Sequence, residues 1–314
     1  MKESLSAESL LQRLIEKPPA IRAGGESIVE WYHQLRLNSD LSVSDDLDAL
    51  TGGFYANSVG QAFVYGYEVA IQRLTGLDTK EQLAAFCVTE NKSTHPQSMQ
   101  VSLIEEGDKL LLSGKKDFVT LASDTKWLLV AAKFGILDSG RNQIKLIKVD
   151  ASLPGVNIKI LPPLPFIPEV GHGVVTFDSV SIDQRDLFLG DGYGDYVKLF
   201  RWIEDINVFI SLSGYLLKIA LVYQWPLASR VEIISILTSL LGMLSAGANE
   251  PIAHIAFYDQ VARLERWLEQ YDDAWQSVDV AVSAAWKRDR GLLKIASYAR
   301  SARYKKALSR LALV

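Results

Sequence analysis

Nine basic residues fall between Lys287 and Arg310 (Lys287, Arg288, Arg290, Lys294, Arg300, Arg303, Lys305, Lys306 and Arg310) against one acid, Asp289. On helices such a run forms a solvated face or binds an anionic partner. Other reactive residue types are sparse. The one cysteine, Cys87, has no neighbouring cysteine or histidine, so it offers neither an intramolecular disulfide nor a zinc-ligand set. His95 sits in a polar stretch and reads as an ordinary exposed histidine. Arg201 and Asp205 stand four apart, the spacing of an ion pair on a helix surface. Thr89 and Thr120 lie in strand-like runs, where threonine is favoured by β propensity, and Phe118 beside Thr120 reads first as a packing residue.

These residues sit in a chain of 314 residues, 48% of them hydrophobic, with a formal net charge of −4. That length holds two or three domains and a sizeable core. The mean hydropathy is slightly positive, which points to apolar surface buried between subunits. The acidic balance gives no reason to expect nucleic-acid binding. Met1-Lys2-Glu3-Ser4 lacks the basic start and apolar run of a signal peptide. Ile233 to Ala248 is the nearest approach to a membrane span, but it is shorter than the roughly 20 apolar residues a span needs and is broken by Ser235, Thr238, Ser239, Gly242 and Ser245. It reads as a buried core helix, and a reduced cytoplasmic compartment is expected.

Three textures follow one another. Residues 1–82 read as helical: Leu10, Leu11, Leu14 and Ile15 mark one apolar face stopped by Pro18-Pro19, a second segment spans Ser27 to Leu37, and a third Phe54 to Leu74. Residues 83–188 carry six short alternating or apolar runs between turn residues: Met99–Ile104, Lys109–Leu112, Trp127–Ala132, Ile144–Val149, Val156–Leu161 and Val174–Ile182. Glu106-Gly107-Asp108-Lys109 predicts a hairpin turn. The proline run from Leu161 to Pro168 excludes a central strand there. Residues 189–314 return to helix: Tyr196–Tyr223, Val231–Leu244, His254–Trp286 and Leu292–Leu313 predict a bundle of four. The fold class is therefore α+β, a compact barrel or sandwich domain held between a helical N-terminal region and a C-terminal helical bundle.

Within the β region the strings are more specific. Cys87-Val88-Thr89-Glu90 resembles the C-[VLM]-T-E that opens the β domain of acyl-CoA dehydrogenases. Leu112-Ser113-Gly114-Lys115-Lys116-Asp117-Phe118-Val119-Thr120 resembles their N-G-x-K-x-[WF]-[IV]-[TS] stretch, and Leu153-Pro154-Gly155-Val156 follows. Val175-Thr176-Phe177-Asp178-Ser179-Val180-Ser181-Ile182 is similar to their exit strand, and Gly190 to Gly194 to the G-x-G before the first bundle helix. The order and spacing hold over about 110 residues.

The resemblance implies FAD between the β domain and the bundle, a glutamate that removes the α-proton of an acyl thioester, and a flavin that takes the β-hydride. It implies that Thr89 and Thr120 hydrogen-bond the isoalloxazine edge and that Phe118 flanks the ring. The family's P-G-[AS]-G-S-D loop is replaced by Asn91-Lys92-Ser93-Thr94-His95-Pro96, where Ser93 or Thr94 is left to donate to a phosphate. The R-x-x-F-G segment, the late Q-x-[FY]-G-G-x-G motif and the catalytic Y-E-G-T have no counterpart. Some members carry the base on the first bundle helix, which puts Glu204 or Asp205 in that role; consecutive helix positions point about 100° apart, so at most one serves. The basic run then becomes a surface for a CoA nucleotide or an acidic subunit.

Three functions remain open on the sequence. The first is a flavin-dependent dehydrogenase of an acyl thioester with an eroded site. The second is a non-catalytic subunit of a heteromer, and the third a scaffold that binds an acyl or other apolar ligand. Oligomerisation through the C-terminal bundle is expected in addition.

Overall fold

The computed structural model describes residues 7–22, 27–37, 47–107 and 109–313. Asp108 of the expected hairpin turn and the N-terminal Met1–Ser4 lie outside them. The chain divides into two compact units, one of Met1–Ala70, Pro165–Ile167 and Trp202–Val314, the other of Ile71–Leu164 and Pro168–Arg201.

The first unit is helical. It contains α1 (Ala7–Glu16), α2 (Ile28–Leu37), α3 (Asp48–Tyr55) and most of α4 (Val59–Thr75), then most of α5 (Lys198–Val222) and all of α6 (Leu227–Gly242), α7 (Pro251–Gln270), α8 (Val280–Asp289) and α9 (Ser297–Arg310). Helix α5 is the axis, with Phe209, Ile210, Leu212, Leu216 and Leu217 buried. Gly53 of α3 and Gly66 of α4 let those helices approach it closely: a Cβ at Gly53 would lie 1.9 Å from the Ser211 carbonyl oxygen, and one at Gly66 would lie 2.8 Å from that of Asn207. Ser211 Oγ fixes the same contact by donating to the Ala62 carbonyl at 2.6 Å.

Two expected helices are divided in the structure. Tyr55 ends α3, and a new helix starts at Val59 after an extended Ala56. Ser58 caps the new helix by accepting from the Gln61 amide at 3.1 Å, and the Gln61 side chain accepts from the Asn57 amide at 2.7 Å. The expected His254–Trp286 helix is interrupted by a 3₁₀ turn at Asp272–Ser277, and Asp279 caps α8 through the amides of Ala281 and Val282. Apolar periodicity ran across this break because Trp275 and Val278 in the turn are themselves buried. Trp275 stacks on Trp286 at 4.8 Å and meets Trp225 edge-on at 5.3 Å, so the turn belongs to the core.

The second unit is a seven-stranded mixed sheet curled around one core. Its strands are β1 (Ala84–Cys87), β2 (Ser102–Glu106), β3 (Lys109–Thr120), β4 (Trp127–Ile136), β5 (Asn142–Asp150), β6 (Val156–Ile160) and β7 (His172–Ile182). The order is β1-β4-β2-β3-β7-β6, with β5 added on β4; β4 runs parallel to β1 and β2 and antiparallel to β5. The predicted hairpin is present, with Glu106 opposite Lys109. Ala85, Cys87, Leu103, Leu112, Leu128, Val130, Ile147 and Phe177 fill the inside. β1 is a strand that sequence reading missed, four residues buried on both faces and so without alternation. The proline run is a connection between β6 and β7, as expected. Its Ile167 amide donates to the buried Asp289 carboxylate at 2.7 Å, within the helical unit.

Among the described residues one helix, α5 with its leading turn from Gly192, is long and apolar enough to cross a membrane by length and composition, and 89% of its most apolar window is buried in protein. Helix α6, expected as the buried core helix, buries Ile233, Ile236, Leu237 and Leu240 on one face only. Leu227 and Val231 are exposed on the other.

Candidate functional site

The strings around Thr89 and Thr120 meet where β1 ends beside β3, through the bond from the Asp117 amide to the Thr89 carbonyl. Strand β1 stops at Cys87, and the next residues are locked to β3 by a buried ion pair. Lys116 Nζ donates to Glu90 Oε1 at 2.6 Å and to the Val88 carbonyl at 3.2 Å, with the lysine wholly buried and Glu90 nearly so. Glu90 also accepts from the amides of Gln100 at 2.5 Å and Val101 at 3.3 Å. Burial pulls the Lys116 pKa below its ordinary value against the opposing pull of Glu90. Thr89 lies between the two residues that Lys116 holds, and its own carbonyl accepts from the Asp117 amide at 2.8 Å.

Phe118 follows Asp117 at a bulge in the β3–β7 ladder, in the left-handed region at φ 54°. A side chain there costs about 1–2 kcal/mol, and a bulge turns a residue out of its expected face. Phe118 is 50% exposed, so it is not packed into the core of the sheet. It lies against His172, ring centres 4.6 Å apart and planes at 33°. Burial lowers the His172 pKa, against the raising effect of the bond that its Nδ1 donates to the Val170 carbonyl at 3.0 Å. Thr120 is paired directly with His172 across the ladder. The hydroxyls of Thr89 and Thr120 are partly exposed and have no hydrogen-bond partner among the described residues. This rim offers two free hydroxyls, an outward aromatic ring and an imidazole, which suits the edge and face of a flat heteroaromatic ligand.

The loop after Glu90 is closed on itself. Glu90 and Ser93 exchange backbone hydrogen bonds at 2.9 and 2.8 Å, with Asn91 and Lys92 both at positive φ between them, 46° and 63°. That is a two-residue turn of the I′ kind, built without glycine. The Asn91 amide donates to Asp117 Oδ2 at 2.8 Å, the His95 amide to Ser93 Oγ at 3.1 Å and the Gln97 amide to His95 Nδ1 at 3.3 Å. Ser93 Oγ also accepts from Ser98 Oγ at 2.8 Å. Ser93 Oγ thus accepts two bonds within the loop, and its own O–H is left to donate.

The acid–base candidates lie on α5, in the helical unit. Asp205 is buried, and both of its oxygens face guanidinium groups: Oδ2 accepts from Arg303, and Oδ1 lies 3.6 Å from Arg300. Asp205 thus pairs, buried, with two arginines of α9, 95 and 98 residues further along. Glu204 is half-buried one position earlier. Cys87 is inert; complete burial pushes its thiol up to about 12.

The basic run is largely paired. Arg288 holds Asp289, Arg290 lies 3.0 Å from Asp272, Arg300 and Arg303 face Asp205, and Arg310 donates to the Asn249 carbonyl. Lys287, Lys294, Lys305 and Lys306 remain exposed. Glu90, Lys116 and His172 are the residues the sequence reading passed over. The first two stood inside the quoted strings, as the glutamate of Cys87–Glu90 and the second lysine after Gly114.

No protein-family model matches the chain, and no curated protein matches it. Solved structures do. Apo-form PigA superimposes with a TM-score of 0.65 at 14% identity over 100% of both chains, and the FAD complex of PigA with 0.64 at 15% over 91% of this chain and 90% of that one. Butyryl-CoA dehydrogenase from Megasphaera elsdenii gives 0.59 at 16%, over 90% and 88%. At these identities the likeness establishes the fold, which is that of the acyl-CoA dehydrogenases in a strongly diverged sequence.

Proposed function

We propose that the chain is a flavin-binding protein of the acyl-CoA dehydrogenase type, with FAD as the cofactor and an acyl thioester as the substrate class. One observation supports the reading: the Thr89 carbonyl accepts from Asp117, and the next residue, Phe118, in a left-handed conformation, lays its ring against His172 opposite Thr120. The FAD complex of the similarly folded PigA supports it. When bound, the flavin would supply the hydride acceptor. Thr89 and Thr120 would hydrogen-bond the ring edge, and Phe118 would cover part of its face. Glu204 Oε is the group proposed to take the α-proton of the acyl thioester, because Asp205 is held between two arginines.

The test is an absorbance spectrum from 300 to 550 nm after incubation with excess FAD and desalting. Retained flavin bands are expected, and Glu204→Gln is expected to abolish bleaching by acyl-CoA at least about 100-fold in rate while the bands remain. A colourless protein that acyl compounds nevertheless stabilise thermally would favour the scaffold reading instead. A specific feature supports that second reading: a cleft of about 1080 Å³ within the helical unit, lined by Leu11, Ile15, Leu47, Ile234 and Leu241.

The C-terminal helices are proposed to join copies of the chain. Leu227 and Val231 stand out from α6, 68% and 57% exposed, one helical turn apart. Light scattering at micromolar concentration is expected to give a dimer or larger species, and Leu227→Asp with Val231→Asp a monomer. A wild-type monomer mass would end this proposal.

A further inference from the structure

We infer that the cleft between α1 and α6 receives the exposed N-terminal half of α6 from a second copy of the chain, the two α6 helices pairing antiparallel about a two-fold axis. The inference rests on the reading above that copies associate through α6, and it names the surface each copy presents. Helix α6 is mainly apolar on two opposite faces. Ser229, Ile233, Ile236, Leu237 and Leu240 are buried within the helical unit. Opposite them Leu227, Val231, Ile234, Thr238 and Leu241 follow at spacings of four, three, four and three, the repeat by which one helix packs along another at a shallow angle. A helix apolar all round is covered all round in the assembled protein. The first half of this seam, Leu227 and Val231, stands out as a ridge. The second half, Ile234, Thr238 and Leu241, is one wall of the cleft of about 1080 Å³, and Leu11 and Ile15 of α1 belong to the other. Ridge and hole thus lie at opposite ends of one helix. A two-fold axis across the seam brings each ridge to the other copy's hole and buries both at once; parallel pairing would set ridge on ridge and leave the clefts open. The charges fit the same arrangement. Arg230 lies half-buried beside Val231, and its buried Nε has no hydrogen-bond partner among the described residues. Glu8 and Glu16 line the cleft from α1, with no basic residue beside them in the lining. Seating the ridge carries the partner's Arg230 toward these carboxylates.

The experiment is sedimentation equilibrium of the full chain at low and at moderate salt, giving the association Kd of the wild type and of three variants. Glu8→Lys/Glu16→Lys and Arg230→Glu each set like charges against one another across the interface, and each is expected to raise the Kd by about tenfold at low salt. Combining all three substitutions restores opposite charges and is expected to return the Kd to within about threefold of the wild type. Both losses should shrink at moderate salt. Glu8 and Glu16 are exposed, so an unchanged circular dichroism spectrum is expected for their reversal. A wild-type dimer that Leu227→Asp with Val231→Asp breaks, but that charge reversal on α1 leaves intact, would overturn the inference and leave association through α6 standing. Failure of the combined variant to recover would overturn it in the same way. A wild type that stays monomeric would overturn both.

Discussion

Lys116→Met is expected to destabilise the β unit by about 3–5 kcal/mol, the cost of leaving a buried charge without its partner. The side chain is fully buried, and its ammonium holds both Glu90 Oε1 and the Val88 carbonyl. Methionine fills the space but leaves the Glu90 carboxylate with two backbone amides as its remaining donors. Those amides soften the loss and do not cancel it. The midpoint of urea unfolding should fall by more than 1 M, on the scale where m is about 1–3 kcal/mol per M. Lys116→Met/Glu90→Gln should recover a large part of the loss, because a neutral pair of similar shape has no charge to solvate. Flavin retention should fall in the single variant as well, since Thr89 lies between the two residues that Lys116 anchors. A single variant within about 1 kcal/mol of the wild type would mean that water or a rearranged side chain can satisfy Glu90, and that the pair does not hold the rim.

The same pair marks where sequence reading stops. Strand periodicity located six of the seven strands, and the ordered strings pointed to the right fold, because both are local properties of the chain. Glu90 and Lys116 were in view as letters of those strings, yet their contact joins positions 26 apart, and no spacing rule announces it. Asp205 shows this more sharply. An i,i+4 rule offered Arg201, and it gives no sign of Arg300 and Arg303, on a helix that only the tertiary fold brings near. The break between α3 and α4 was legible and was passed over: Ser58-x-x-Gln61 is a capping signal, masked by the apolar periodicity that continues through Phe54. The left-handed Phe118 was not legible, since nothing in a Lys-Asp-Phe-Val string distinguishes a bulge from a regular strand.

Lys218 gives the second large effect, and its sign changes with pH. The side chain is wholly buried on α5, and its Nζ donates to the Ala56 carbonyl at the end of α3. Burial depresses its pKa from 10.5 to about 7. In the unfolded chain the group keeps an ordinary lysine pKa, so between pH 7 and 10.5 the unfolded state binds a proton that the folded state lacks. Stability contributed by this site therefore rises with pH through that window, by up to about 1.4 kcal/mol per unit, and is lowest below pH 7, where the folded state must bury an ammonium. Lys218→Met removes the charge at every pH and also removes the hydrogen bond to Ala56. At pH 6 the variant is expected to be more stable than the wild type by about 2–3 kcal/mol. Near pH 9.5 the wild-type amine is neutral and still bonds Ala56, so the variant is expected to be equal or weaker by about 1 kcal/mol. Urea unfolding of both proteins at half-unit steps from pH 6 to 9.5 reads the difference directly, and other titrating groups cancel between them. Curves that stay parallel across the range would show that Lys218 titrates outside it, and the ammonium would then have to be stabilised in the core by the Ala56 carbonyl and the ring of Tyr215, 6.0 Å away.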